Sequence, residues 1–145
     1  MTTNAAGASY ALRHAAIDLG ALDDSVPTAR LHARKVLTSW GHAALAADGE
    51  LVMSELVTNG VRYARLAPTV TGAPPPIRVR ITERERGVLI EVWDGHEAMP
   101  ERRAAGADPE AEGGRGLALV AAYAARWGAY RTRGGGKVTW AEVTR

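Results

Sequence analysis

Hydrophobic positions along the 145-residue chain change period several times, and each change predicts an element. Residues 1–9 are small and polar, and are expected to be a disordered, fraying start. A weak strand is predicted around Tyr10 to Leu19. The run LDDSVPTARLHARKVLTSW then places Val26, Ala29, Ala33, Val36, Leu37 and Trp40 at helical spacing, with Asp24 or Ser25 as N-cap and Pro27 in the first turn. A second amphipathic helix is predicted from about Ala46 to Arg65, its apolar stripe formed by Met53, Leu56, Val57, Gly60 and Ala64. The segment LAPTVTGAPPP ends it.

Period two takes over beyond that break. Strands are predicted at Ile77 to Glu83 and Val88 to Asp94, joined as a hairpin through Glu85, Arg86 and Gly87. From Gly95 to Gly114 the chain is charged and punctuated by Gly and Pro, a length of loop that a compact domain keeps for a lid or binding loop. GRGLALVAAYAARWG opens a helix straight after a Gly-rich turn, and strands at about Ala129 to Thr132 and Lys137 to Val143 flank a GGG turn. The order strand, helix, helix, two strands, helix, two strands implies an α+β fold. We expect a two-layer α/β sandwich with a mixed, mostly antiparallel sheet and helices packed on one face, in a single domain over residues 10–145.

Composition narrows the chemistry. A chain of this length builds one core. No apolar run is long enough to cross a bilayer, and Arg13, His14 and Asp18 interrupt the stretch that a signal peptide would need, so a cytoplasmic location is expected. The absence of cysteine removes disulfides, thiolate metal sites and Cys nucleophiles. The four histidines, at 14, 32, 42 and 96, lack metal-ligand spacing. A net charge of +2 comes mostly from Arg, which is spread along the chain instead of clustered, so it does not mark a nucleic-acid surface.

Three places break the hydrophobic pattern. On the second predicted helix, Glu55 and Asn59 lie four apart, one above the other, at the edge of the apolar stripe. They are a solvent-edge pair, partners in a helix-to-loop hydrogen bond, or polar groups waiting for a ligand. In VLIEVWD, alternation puts Val88, Ile90, Val92 and Asp94 on one face, so a carboxylate points where three aliphatic groups point. Asp94 either receives N–H donors from a ligand or starts a turn with Gly95. In EGGRGLALV, Gly113, Gly114 and Gly116 allow close backbone approach to an anion, the following helix offers unpaired N–H groups, and Arg115 adds a forked cation. Neither the Rossmann nor the P-loop pattern is present.

In this order the three motifs resemble the ATPase superfamily shared by gyrase, the heat-shock chaperone, mismatch-repair proteins and histidine kinases. SELVTNGVRYA, the VWD strand end, EGGRGLALV, ARWG and KVTWAEV look more closely like the anti-sigma factor serine kinases of high-GC bacteria, over about residues 20 to 145. The resemblance implies ATP and Mg²⁺ as cofactors. By it, Asn59 coordinates Mg²⁺ and Glu55 is the general base for a serine hydroxyl. Asp94 and Gly95 meet adenine, Met99 packs on its ring, Thr139 contacts the base, and Gly114, Arg115, Gly116 and Leu117 line the phosphates. The loop from Gly95 to Gly113 closes over the nucleotide. Relatives often carry Asn-Ala-x-x-His where this chain has Gly60 and Tyr63, Asp-x-Gly-x-Gly where it has Asp94 to Ala98, and Lys-Thr-Val-Trp where it has Lys137 to Trp140. The last exchange moves the hydroxyl to the other face of the sheet.

The resemblance also implies partners: a small anti-anti-sigma protein as phosphorylation substrate, a sigma factor held when the kinase is not so engaged, and a second copy in a homodimer. A non-catalytic, nucleotide-gated binding module is the alternative. A detached histidine-kinase domain fits less well, because no helix pair with a phosphoacceptor His precedes the motifs.

Overall fold

The computed structural model of the protein describes residues 2–3, 9–10, 12–67, 72–100 and 114–145. Of the start expected to fray, residues 1 and 4–8 lie outside this description. β1 (Thr2–Thr3) and β2 (Ser9–Tyr10) pair with each other as a short antiparallel ladder. Tyr10 is therefore engaged away from the main sheet, and β3 (His14–Gly20) begins later than the predicted strand at Tyr10 to Leu19.

α1 (Ser25–Ser39) and α2 (Ala46–Leu66) form where the period of 3.6 predicts them. Ala29, Ala33 and Leu37 of α1 are fully buried, as are Val52, Met53, Leu56, Val57 and Ala64 of α2. The two helices pack against each other along these stripes, and α2 also lies on the sheet. Neither predicted cap acts through its side chain. The Ser25 hydroxyl instead donates to the Gly20 carbonyl at 2.6 Å, which ties the start of α1 to the end of β3.

β4 (Pro76–Arg84) and β5 (Gly87–Asp94) make the predicted hairpin, extended slightly at its ends. α3 (Gly114–Tyr123) follows, then β6 (Arg126–Arg131) and β7 (Lys137–Thr144). β6 starts at Arg126 instead of Ala129 because Arg126, Trp127 and Gly128 pair with Glu142, Ala141 and Trp140. The Ala-rich helical pattern runs on past the residue where the chain enters the sheet. The main sheet has the order β3-β4-β5-β7-β6, and each of its ladders is antiparallel. The fold is α+β, as expected, with α1 and α2 stacked over one face of the sheet.

That face is read row by row from the register. Val88 pairs with Glu83 and Val143, Ile90 with Ile81 and Ala141, Val92 with Val79 and Thr139, and Asp94 with Ile77 and Lys137. Core rows are apolar in the middle of the sheet and become polar at both ends. The opposite face carries charge pairs such as Arg80–Glu91 at 2.9 Å and Arg126–Glu142 at 2.8 Å.

Candidate functional site

Strand alternation places Asp94, at the end of β5, and Lys137, at the start of β7, side by side under α2. Both are buried, with 1% and 0% of their surface exposed. The Lys137 ammonium stands 3.0 Å from each carboxylate oxygen, but only the contact with Oδ1 has hydrogen-bond geometry. Nζ donates a second hydrogen bond to the His96 carbonyl at 3.1 Å, and the His96 amide donates to Asp94 Oδ1 at 2.9 Å. Asp94 points to the core, and by accepting from the His96 amide it also organises the turn that follows, as the turn reading expects. Burial pushes the Asp94 carboxyl upward, against the pull of Lys137 and the His96 amide. Burial likewise pushes the Lys137 ammonium down, against the pull of Asp94.

Above this pair lies Tyr63, its ring centre 3.6 Å from Nζ, with the His96 ring 5.6 Å away. Tyr63 sits one turn beyond Asn59 on α2, so the C-terminal half of that helix covers the Asp94–Lys137 row. Gly60 brings it close. A methyl group at Gly60 would stand 3.0 Å from Val92, the residue that pairs with Thr139.

Asn59 is buried, and neither its amide oxygen nor its amide nitrogen has a hydrogen-bond partner. The buried Thr139 hydroxyl and Asp94 Oδ2 are also without one. An unmade hydrogen bond at a buried group costs about 1–3 kcal/mol, so a concentration of such groups marks a place where something polar from outside completes them. Period two puts Thr139 on the helix-covered face and Val138 on the other.

The remaining positions sort by element. Glu55 is half-buried on α2, one turn before Asn59. Leu117 is buried on α3, which packs against α2. Gly114, Arg115 and Gly116 form the first turn of α3 and not a loop before it, so their amides are those a helix start leaves unpaired. The side chain of Arg115, and residues 101–113 of the expected lid, lie outside the description. Gly95 is exposed and Met99 half-buried on the segment that leaves β5.

Two features were not among the candidates read from the sequence. One is Lys137, although the alternation Lys137, Thr139, Ala141, Val143 carries the signal. The other is a cluster at the far end of the same face. There Glu83 accepts from Arg13 Nη2 at 2.7 Å and Nε at 3.2 Å and lies 2.8 Å from His42 Nε2. These contacts, led by the Arg13 hydrogen bonds, hold the Glu83 carboxyl down at about 2 despite its burial.

Comparison with known proteins adds one finding. The histidine kinase-like ATPase domain matches residues 19–143, a span that runs from the end of β3 to the end of β7 and contains each residue of the site. No curated protein matches the chain.

Proposed function

Because the chain belongs to the histidine kinase-like ATPase domain family over residues 19–143, we propose that it binds Mg²⁺-ATP between α2, the tip of β5, β7 and α3. We propose further that it uses this ATP as a serine/threonine protein kinase on a small anti-anti-sigma protein, and holds a sigma factor when that antagonist is absent. Family membership supports ATP binding. The kinase step and the partners rest on the likeness of the motifs to anti-sigma factor kinases.

One observation carries the nucleotide reading: the buried atoms of Asn59, Thr139 and Asp94 that lack partners. Asp94 Oδ2 is an acceptor for the adenine amino group, and Thr139 Oγ1 is a hydroxyl that can turn either way toward the base. The Asn59 carbonyl oxygen is a hard ligand of the kind Mg²⁺ takes together with substrate phosphates. The amides of the first turn of α3 suit an anion. The residues present therefore fit the cofactor. Mg²⁺ would neutralise phosphate charge as the phosphoryl group leaves, while Glu55 would accept the proton of the attacking serine.

Calorimetric titration with ATP, with and without Mg²⁺, tests the binding. Saturable binding that needs Mg²⁺ and disappears in Asn59→Ala is expected, and no binding in either condition would remove the reading. Phosphotransfer is tested with γ-labelled ATP and the anti-anti-sigma partner. Glu55→Gln is expected to keep ATP affinity while label on serine collapses, and full transfer by that variant would exclude Glu55 as the base. The homodimer belongs to the same proposal and is read by sedimentation. So does the cytoplasmic location; among the described residues, no helix is long and apolar enough to cross a membrane.

A further inference from the structure

Taking the nucleotide site proposed above as given, we infer that Tyr63 and His96 form a latch over its base end, and that a nucleotide enters only in the fraction of molecules whose latch is open. The carboxylate offered to the base is enclosed. Asp94 has 1% of its surface exposed and Lys137 none. Asp94 Oδ2 lies against Nζ at 3.0 Å, and the ammonium otherwise meets Asp94 Oδ1, the His96 carbonyl and the Tyr63 ring. The amide of Asn59, one turn before Tyr63, and the Thr139 hydroxyl are buried as well. Groups out of reach of solvent are out of reach of a ligand until a neighbour moves.

Two neighbours are placed to move. Asn59, Asp94, Lys137 and Thr139 are buried, whereas Tyr63 and His96 are half-buried and form the outer layer. The Tyr63 ring centre lies 3.6 Å from Nζ and 5.3 Å from the Arg62 guanidinium, so two cations attract the ring. The His96 ring packs on it, with centres 5.6 Å apart. His96 is held in turn by its own segment. Its amide donates to Asp94 Oδ1, its carbonyl accepts from Lys137, and its Nδ1 accepts from the Ala98 amide at 3.1 Å, while the Glu97 carbonyl accepts from Arg131 at 3.0 Å. These contacts make the closed arrangement the favoured one. Turning the two rings outward uncovers Asp94 without disturbing the apolar rows of the core.

A latch of this kind has two consequences. Apparent affinity is lowered by the fraction of molecules that are open, so a latch open about one tenth of the time weakens binding about tenfold. The rate of binding also levels off as nucleotide rises, because opening becomes the slow step.

Stopped-flow binding of a fluorescent Mg²⁺-ATP analogue to the whole chain, with calorimetry of Mg²⁺-ATP itself, reads both. In the unmodified protein the observed rate is expected to reach a plateau. His96→Ala removes the ring and keeps the backbone bonds to Asp94 and Lys137, so it decides the matter. Its plateau is expected to rise, and its dissociation constant for Mg²⁺-ATP to fall, by about tenfold. Tyr63→Val, which removes the other ring, takes over the decision if His96→Ala does not fold. ATP binding that is unchanged or weaker in the deciding variant would overturn the latch and leave the ATP site standing. A rate that rises in proportion to nucleotide throughout, in the unmodified protein, would overturn it too. Failure of the unmodified protein and both variants to bind nucleotide would remove the ATP reading itself, and this one with it.

Discussion

Asn59 is a residue whose surroundings suit a ligand better than they suit the empty fold. Its amide is buried with no partner on either atom, so the folded chain loses free energy there until something polar arrives. Replacing it by Leu, of similar volume, removes the unsatisfied groups. We expect Asn59→Leu to stabilise the nucleotide-free protein by about 1 kcal/mol or more in urea melts. The same change should abolish Mg²⁺-dependent ATP binding. A variant both less stable and still able to bind would show that the amide serves the fold. Asp94 behaves in the opposite way, because it already has a partner. Asp94→Asn leaves the Lys137 ammonium buried without its counter-charge, and breaking one side of such a pair costs about 3–5 kcal/mol. An amide can also present a donor to the adenine amino group, so ATP binding is expected to weaken at least tenfold, about 1.4 kcal/mol. Calorimetry well below the melting temperature separates the two effects, and unchanged affinity in the folded variant would take Asp94 away from the base.

Among the elements, the turn between β6 and β7 sets where Lys137 begins its strand. Gly136 has a φ of 81°, and a Cβ there would run into the backbone carbonyl of Asp94. A left-handed conformation costs an L-residue about 1–2 kcal/mol before any clash. Gly136→Ala is therefore expected to lower stability by about 2 kcal/mol or more, and to weaken ATP binding in the fraction that folds, since it shifts β5 against β7. A melt within about 0.5 kcal/mol of the original would show that the turn adapts. The helices and the hairpin were legible in the sequence because burial of one face imposes a period on α1, α2 and β4, while β5, central in the sheet and buried on both faces, reads as a strand through Val88, Ile90 and Val92. The start of β6 was not, because Ala124 and Ala125 continue a helical stripe while the chain is already turning to pair with Glu142. Alternation alone aimed Asp94 at the helices. It also aims Lys137 and Glu83 there, yet a charged residue at a strand end reads as solvent-facing until the neighbouring strands are known. Pairing across the sheet, such as Asp94 with Lys137, depends on strand order, and no local pattern carries that.

For the molecule as a whole, the helix-covered face of the sheet has two polar ends separated by apolar rows: Asp94 and Lys137 at one, Glu83 with Arg13 and His42 at the other. The far end joins three parts of the chain. Arg13 precedes β3, donates to the Trp40 carbonyl beyond α1 at 2.8 Å, and pairs with Glu83 on β4. The Glu83 carboxyl is held at about 2 in the fold against an ordinary value of 4.5. As pH falls, the unfolded chain takes up that proton before the folded one does. The stabilisation is thus complete above about pH 4.5 and is lost as pH drops toward about 2. Glu50 and Glu142 are also held low by their arginines and act in the same direction, weakly, since Arg34 and Arg126 are exposed and screened. Asp94 acts the other way, its carboxyl raised by burial. Glu83→Gln separates these contributions. Allowing for the half-exposed Arg13, we expect the unmodified protein to lose about 2 kcal/mol in urea melts between about pH 5 and about pH 2.5. The variant should start less stable at neutral pH and lose correspondingly less. Changes at separated sites add. ATP affinity at neutral pH should therefore be the same in Glu83→Gln as in the unmodified protein, and a shift of more than about threefold would show that the two ends of the sheet are coupled.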